Sequence, residues 1–99
     1  MFVLELTYTA PIERVDALLP AHAEWLGGHY AAGVFLASGR KVPRDGGVII
    51  ATGEDRAAVE AIARTDPFAV AGVVEYRVTE FLATTVAPAL ETHRQQLPA

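Results

Sequence analysis

The chain has 99 residues, of which 52% are hydrophobic and 20% are charged, and its formal net charge is −4. This length and composition predict a single globular domain rather than two domains or a disordered chain. The absence of cysteine excludes disulfides, thiolate nucleophiles and cysteine-ligated zinc or iron–sulfur sites. The eight basic residues form no concentrated positive footprint, which argues against nucleic-acid binding.

The sequence also gives no sign of a membrane or export function. No apolar run approaches the ~20 residues that a transmembrane helix requires. The first residues, Met1 to Glu5, lack the basic region that opens a signal peptide. We therefore expect a cytoplasmic protein that binds no membrane.

The first third of the chain changes from a strand pattern to a helix pattern. Phe2 to Thr9 places apolar residues at alternate positions, which predicts a strand with one apolar and one mixed face. From Ile12 the apolar spacing becomes three and four residues, as in an amphipathic helix. Pro20 lies inside this pattern and predicts a kink or a break into two helical pieces. The segment from His29 to Ala32 is expected to add a last turn before Gly33.

The middle of the chain predicts a hairpin and a second helix. Val34–Val42 and Val48–Thr52 are rich in β-prone residues. The residues between them, 43–47, include an Asp-Gly pair and are expected to form the turn. Asp55 can then cap a helix over Arg56–Arg64.

The stretch Thr65–Gly72 connects the second helix to the last strand. Pro67 has a fixed φ and no N–H, which suits a first helical position. Asp66 before it can accept hydrogen bonds from backbone N–H groups, as an N-cap does. Gly72 permits the left-handed backbone conformation in which the chain can leave this turn. Val73–Phe81 alternates again and predicts the final strand.

The order β-α-β-β-α-β predicts an α+β, ferredoxin-like fold with an antiparallel four-stranded sheet and helices on one face. The opposite face mixes apolar, polar and charged side chains: Val3, Glu5, Thr7, Glu75, Arg77 and Thr79. A mixed face on a one-layer sheet is suited to pairing with a second copy, so we expect a homodimer. Residues 1–83 are assigned to this domain. Residues 84–99 are a C-terminal tail, in which a short helix from Pro88 to Gln96 would pack on the dimer partner.

His22 and Asp66 are the main candidates for chemistry. Helical spacing aligns His22 with Val15, Leu18 and Leu26, so its side chain is directed towards the sheet. Spacing alone favours a half-buried structural histidine. The alternative is a general acid or base, which requires a cavity and a partner that fixes the tautomer. Asp66 is the natural partner if the two helices bring it close, and one carboxylate has enough oxygens both to cap a helix and to orient a histidine.

Two residues on the predicted hairpin are candidate ligand contacts. Ser38 lies before Gly39 without the Gly-x-Ser-x-Gly context of a nucleophile, so we treat it as a ligand contact only. Arg40 belongs to the chain's one basic cluster, with Lys41 and Arg44. Decoration of a loop is the simpler interpretation of this cluster, and binding of a small anion is the alternative.

No metal site is expected. His22 and His29 are seven residues apart, which is roughly 10 Å along an ideal helix and too far for one ion. The sequence contains no His-x-x-x-His spacing. Neither glycine pair lies in the strand–glycine–helix context of a phosphate-binding loop.

Several motifs follow one another in a recognisable order: Ala21–Leu26 with His22, Ala37–Arg40, Gly46–Ile50, Asp66–Phe68 and Ala71–Val74. With these motifs, spread between Phe2 and about Phe81, the chain resembles the YCII-related (YciI-like) family of the dimeric α/β-barrel superfamily. The Asp-Pro-Phe sequence followed by Ala-Gly is the most specific part of the resemblance.

The resemblance implies a ferredoxin-like subunit whose sheet pairs with a second copy to form a dimeric α/β barrel. It also implies a pocket beside a His–Asp pair, which here corresponds to His22 and Asp66 as catalytic residues. Ser38 would line the same pocket. Arg40 stands where the family more often has proline, and it would place a charge at the pocket mouth. Relatives with this domain act on aromatic breakdown products, including by dehydrochlorination and lactone isomerisation.

Residues and resemblance together predict a lyase or isomerase that transfers protons with His22 and Asp66 on a small organic molecule, aromatic-derived compounds included. No redox cofactor is expected. Two alternatives stay open at this point: a non-catalytic module that binds or senses a small molecule, and a purely structural assembly unit.

Overall fold

The computed structural model describes residues 1–53 and 55–98, and its elements follow the predicted order. The strands are β1 Phe2–Tyr8, β2 Phe35–Arg40, β3 Gly46–Ala51 and β4 Val74–Glu80, and the helices are α1 Ile12–Ala31, α2 Arg56–Arg64, the short α3 Pro67–Val70 and a 3₁₀ helix at Pro88–His93. The strands form one antiparallel sheet in the order β2-β3-β1-β4. This is the predicted α+β, ferredoxin-like arrangement.

Strand register directs the apolar residues of the sheet towards the helices. Leu4 of β1 lies opposite Ile49 of β3 and Val78 of β4. Leu4 is fully buried, as are Val15 of α1 and Val59 of α2, which pack into the same core. The core therefore lies between the sheet and one layer of helices, and burial of its side chains is the main stabilising term of the fold.

The opposite face of the sheet is the one turned away from this core. The strand register places on it the six side chains predicted from the alternation of β1 and β4, and adds Val48 and Ile50 of β3. All of these side chains are partly or fully exposed. This open face is thus mixed in character, as predicted.

Helix α1 runs unbroken through Pro20, so the predicted break into two pieces is wrong. A proline inside a helix leaves the carbonyl four residues earlier without its donor, which here is the carbonyl of Asp16. Both residues are exposed, so water can satisfy that carbonyl and the helix continues. The helix ends as predicted before Gly33, whose φ of 78° allows Val34 to donate to the His29 carbonyl at 3.0 Å.

The hairpin differs from the prediction at its glycine pair. Gly46 and Gly47, expected in the turn, begin β3 and lie opposite Thr7 and Leu6 of β1. The two backbones approach so closely that a Cβ on Gly46 would lie 1.8 Å from the Leu6 carbonyl oxygen. Glycine is present at this point because the sheet leaves no room for a side chain.

Helix α2 begins at its predicted cap and also covers the edge of the sheet. Asp55 accepts a hydrogen bond from the Ala58 N–H at 2.8 Å. In the same helix, Arg56 donates from Nη2 to the Val78 carbonyl at 2.9 Å. Hydrogen bonds between Thr9 and Val73 and between Phe81 and Met1 set the β1–β4 ladder. In that ladder the Val78 carbonyl points away from β1, towards the free edge of β4.

The C-terminal segment folds back on the start of the chain. Its 3₁₀ helix ends at His93, shorter than the helix predicted to Gln96. Gln95 instead binds residues next to the start of β1 and the end of β4: its N–H donates to the Ala83 carbonyl at 3.0 Å, and its side-chain oxygen accepts from the Met1 nitrogen at 2.7 Å. Within the described part of the chain, no helix is long and apolar enough to cross a membrane.

Candidate functional site

The fold brings His22 and Asp66 into direct contact. His22 lies in the middle of α1, and Asp66 precedes the first residue of α3. The Nδ1 atom of His22 is 2.8 Å from Oδ1 of Asp66. The His22 side chain keeps 14% of its surface exposed, whereas Asp66 is completely buried. A carboxylate with no access to water depends on its protein hydrogen bonds.

Asp66 accepts hydrogen bonds from three different elements. Its Oδ1 accepts from the His22 ring and, at 3.0 Å, from the backbone N–H of Phe68, which confirms the predicted N-cap. Its Oδ2 accepts from the hydroxyl of Tyr76 on β4 at 2.5 Å. Capping and contact with the histidine therefore coexist in one side chain.

These contacts determine which ring nitrogen of His22 can meet a ligand. A carboxylate accepts but does not donate, so Nδ1 carries the proton and Nε2 of the neutral ring keeps its lone pair. Among the described residues, the bond to Asp66 is the one hydrogen bond of the ring. The Phe68 ring stacks on His22 with centroids 4.0 Å apart and 9° between planes, and Trp25 lies 5.6 Å away. The imidazole is thus held at one nitrogen and on its face, with Nε2 available.

His22 forms part of the wall of a cavity of about 160 Å³ between α1, the hairpin and β1. The lining is mostly apolar, with glycine backbone and a few polar groups: Leu6, Tyr8, Leu19, His22, Leu26, Ser38, Gly39, Arg40, Gly46, Gly47, Val48, Ile49 and Phe68. An apolar cavity of about 150 Å³ can hold a benzene-sized molecule. Three of the four predicted site residues line this space. Asp66 does not, because it lies behind His22.

Ser38 and Arg40 are exposed at the mouth of the cavity. Their register opposite Ile49 and Gly47 turns both side chains to the helix-facing side of the sheet. The Ser38 hydroxyl is 2.6 Å from the hydroxyl of Tyr30 in α1, so its position is fixed. Across residues 1–53 and 55–98, Arg40 forms no ion pair. Its guanidinium therefore supplies uncompensated positive charge at the mouth.

The other two bases of the cluster have structural partners. Lys41 lies 3.3 Å from a carboxylate oxygen of Glu5, and Arg44 lies 2.5 Å from one of Asp16. The simpler interpretation, that the bases lie on a surface loop, therefore suffices for Lys41 and Arg44. Arg40 is the one member of the cluster that faces the cavity.

Sequence reasoning did not identify Tyr76 as part of the site. Burial first, and then the hydrogen bond and charge of Asp66, raise the pKa of Tyr76 above its usual range, so the phenol remains a donor. The one indication in the sequence was that Tyr76 shares the core side of β4 with Val74 and Val78, because the three are every second residue of the strand. A hydroxyl directed into an apolar layer needs a buried acceptor, but the sequence did not show which one.

No group of three or more histidine, aspartate or glutamate side chains within the described ranges could hold a metal ion.

The family model of the YCII-related domain matches residues 1–82 of this chain. Among solved structures, the chain is similar to 5-chloro-2-hydroxyhydroquinone dehydrochlorinase (TftG) from Burkholderia phenoliruptrix AC1100, in a complex with 2,5-dihydroxybenzoquinone. The TM-score is 0.65 and the identity is 21%, over 82% of this chain and 93% of that chain. At this identity the likeness establishes the fold. No curated protein sequence matches the chain.

Proposed function

Because the chain belongs to the YCII-related family, we propose that it is a lyase or isomerase in which His22 transfers a proton on a small organic molecule. The observation that carries this proposal is the arrangement of His22. One nitrogen is held by a buried carboxylate, and the ring lines a cavity of about 160 Å³. Neutral histidine is effective as a general base near neutral pH, and such catalysis typically contributes ~10²–10⁴-fold in rate.

The proposed reaction begins when Nε2 of His22 removes a proton from a carbon next to an electron-withdrawing group. Asp66 stabilises the imidazolium through Nδ1. The electron pair of the broken C–H bond then forms a double bond. In a lyase reaction a leaving group departs from the adjacent carbon with its bonding electrons, and the imidazolium then gives up its proton to that group or to water. In an isomerase reaction the imidazolium returns the proton to a different carbon. Neither course requires an oxidant or a reductant.

Cavity size and polarity suggest the class of substrate. A volume of about 160 Å³ suits a molecule with one ring and small substituents. Leu19, Leu26 and Phe68 supply apolar walls for such a ring. Arg40 and Ser38 supply a cation and a hydroxyl, which suit a carboxylate, phenolate or enolate oxygen. The quinone-type ligand of the similar dehydrochlorinase is also a single ring with oxygen substituents.

We further propose that two copies associate through the open face of the sheet. Val3, Val48 and Ile50 leave apolar surface on this face, and a second copy would bury it. Sedimentation at micromolar concentration should give a dimer. Ile50→Glu, which places a charge at the centre of the face, should shift the chain towards monomer. A monomeric wild-type chain would contradict this part of the proposal.

The alternative is a module that binds or senses a small molecule without converting it. The cap role of Asp66 is compatible with it, since capping is a structural role that does not depend on catalysis. Such a module would keep the cavity but would not require the imidazole.

Binding and turnover can be measured separately. Trp25 is the only tryptophan in the sequence and lies 5.6 Å from His22, so its fluorescence should report a ligand in the cavity. Turnover would be followed by ultraviolet absorbance on a panel of halogenated hydroxyquinones and unsaturated lactones. His22→Gln should abolish turnover and retain binding, whereas the matched change His93→Gln in the 3₁₀ helix should affect neither. Binding without turnover by the wild-type chain on every compound would favour the sensing module.

A further inference from the structure

We infer that Tyr76 is a positioning residue, which fixes the Asp66 carboxylate so that His22 keeps its proton on Nδ1. This inference rests on the proposed role of His22, and it assigns a function to a side chain that does not line the His22 cavity. Its support comes from the distribution of hydrogen bonds on the two oxygens of Asp66.

The two oxygens of Asp66 are held differently. Oδ1 accepts from both His22 and the Phe68 N–H, at 2.8 and 3.0 Å. Rotation about the bond to a terminal carboxylate is soft, so contacts to Oδ1 alone do not fix the plane of the group. The Tyr76 hydroxyl binds Oδ2 at 2.5 Å and supplies the second fixed point. With both oxygens held, a lone pair of Oδ1 stays directed at Nδ1 of His22.

Tyr76 is itself well fixed in the sheet. It lies opposite Leu6 of β1, on the core side of β4. Its ring lines a second cavity of about 420 Å³ beside α2, and this cavity shares no lining residue with the cavity at His22. A ligand in the His22 cavity would therefore not touch Tyr76. The phenol can influence the reaction only through Asp66.

The protonation of the phenol favours the same role. Because burial keeps Tyr76 protonated, its hydroxyl always donates to Asp66 and never competes for the proton on Nδ1. A carboxylate that accepts from three donors on three elements has one orientation that satisfies all of them. Removing the phenol oxygen leaves Oδ2 without a donor and frees the carboxylate to rotate.

The test is ¹⁵N NMR of the histidine side chains in the wild-type chain, Tyr76→Phe and the control Tyr30→Phe. The wild type should show His22 as the Nδ1–H tautomer, with a slowly exchanging Nδ1 proton. Tyr76→Phe should show a mixture of tautomers and faster exchange. Tyr30→Phe removes a hydroxyl that binds Ser38 and should leave the His22 signals unchanged. Unchanged His22 signals in a folded Tyr76→Phe chain would overturn the inference, even if that variant melts at a lower temperature.

Two further measurements keep the outcome decisive. If Tyr76→Phe fails to fold, the wild-type chain still decides: the Tyr76 hydroxyl proton and the His22 Nδ1 proton should both appear as downfield, slowly exchanging signals, and their absence would overturn the inference. With an active substrate, kcat of Tyr76→Phe should fall about tenfold, as for other residues that orient a functional histidine, while KM changes little. A changed tautomer in a chain without turnover would count against the proposed function and leave the positioning role intact.

Discussion

Asp66→Asn tests whether the hydrogen-bond network around the buried carboxylate needs both of its oxygens as acceptors. Three donors converge on two oxygens of a side chain with no exposed surface. Asparagine keeps one oxygen and replaces the other with an NH₂ group that cannot accept. Either Tyr76 or the pair formed by His22 and the Phe68 N–H must then lose its acceptor.

The expected cost follows from these contacts. A hydrogen bond to a charged group contributes about 1.5–3 kcal/mol, and a buried polar group left unsatisfied costs about 1–3 kcal/mol. Asp66→Asn should therefore lower the free energy of unfolding by about 3 kcal/mol. The matched control is Asp55→Asn at the exposed start of α2, where one N–H, that of Ala58, is capped. Asparagine caps as well as aspartate, so this variant should stay within about 0.5 kcal/mol of the wild type.

Urea denaturation followed by far-ultraviolet circular dichroism and Trp25 fluorescence measures both variants. Equal midpoints for Asp66→Asn and the wild type, at unchanged slope, would refute the reasoning, because the buried carboxylate would then contribute no more than an ordinary cap. Equal losses in Asp66→Asn and Asp55→Asn would refute it as well. The double variant with Tyr76→Phe should lose less than the sum of the two single losses, since both changes act on the same hydrogen-bond network.

Three other outcomes are expected. The raised pKa of Tyr76 means that the unfolded chain releases the phenol proton above pH ~10 while the folded chain keeps it. Above that pH the free energy of unfolding of the wild type should therefore fall more steeply than that of Tyr76→Phe, by up to about 1.4 kcal/mol per pH unit. Parallel pH profiles of the two chains in urea titrations would contradict this. Gly46→Ala should cost about 3 kcal/mol in the same assay because its Cβ meets the Leu6 carbonyl at 1.8 Å, whereas Gly39→Ala on the neighbouring strand, with no heavy atom within 4 Å, should be nearly neutral. Arg40→Gln should weaken binding of an anionic ring compound, measured by Trp25 fluorescence, by about tenfold and leave a neutral analogue unaffected; equal effects on both compounds would exclude a charge contact.

Local patterns in the sequence were sufficient for the architecture. The alternation of apolar residues predicted the two faces of β1 and β4, and helical spacing predicted that His22 is directed towards the sheet. The caps at Asp55 and Asp66 were predictable because an N-cap is a contact between near neighbours in the chain. Each of these features depends on residues within a few positions of one another.

The features that the sequence did not yield depend on distant contacts or on solvent. The continuity of α1 at Pro20 depends on the exposure of the affected carbonyl. The strand role of Gly46 depends on how closely β1 approaches it. The contact between Tyr76 and Asp66 depends on the direction of β4 relative to α3, which no local pattern encodes. Arg40 was expected at the pocket mouth only through the family resemblance, because the residue pattern alone did not define the register of the hairpin.

The Arg56 contact at the edge of β4 bears on aggregation. A free strand edge offers unpaired carbonyl and N–H groups as a template for another chain. Here the Val78 carbonyl already accepts a hydrogen bond from Arg56, which also donates to Glu60 at 2.8 Å. An incoming strand would have to displace this ion pair before it could dock in register. We therefore expect Arg56 to hinder edge-to-edge polymerisation, and Arg56→Ala should shorten the lag time of fibril formation under partially denaturing conditions.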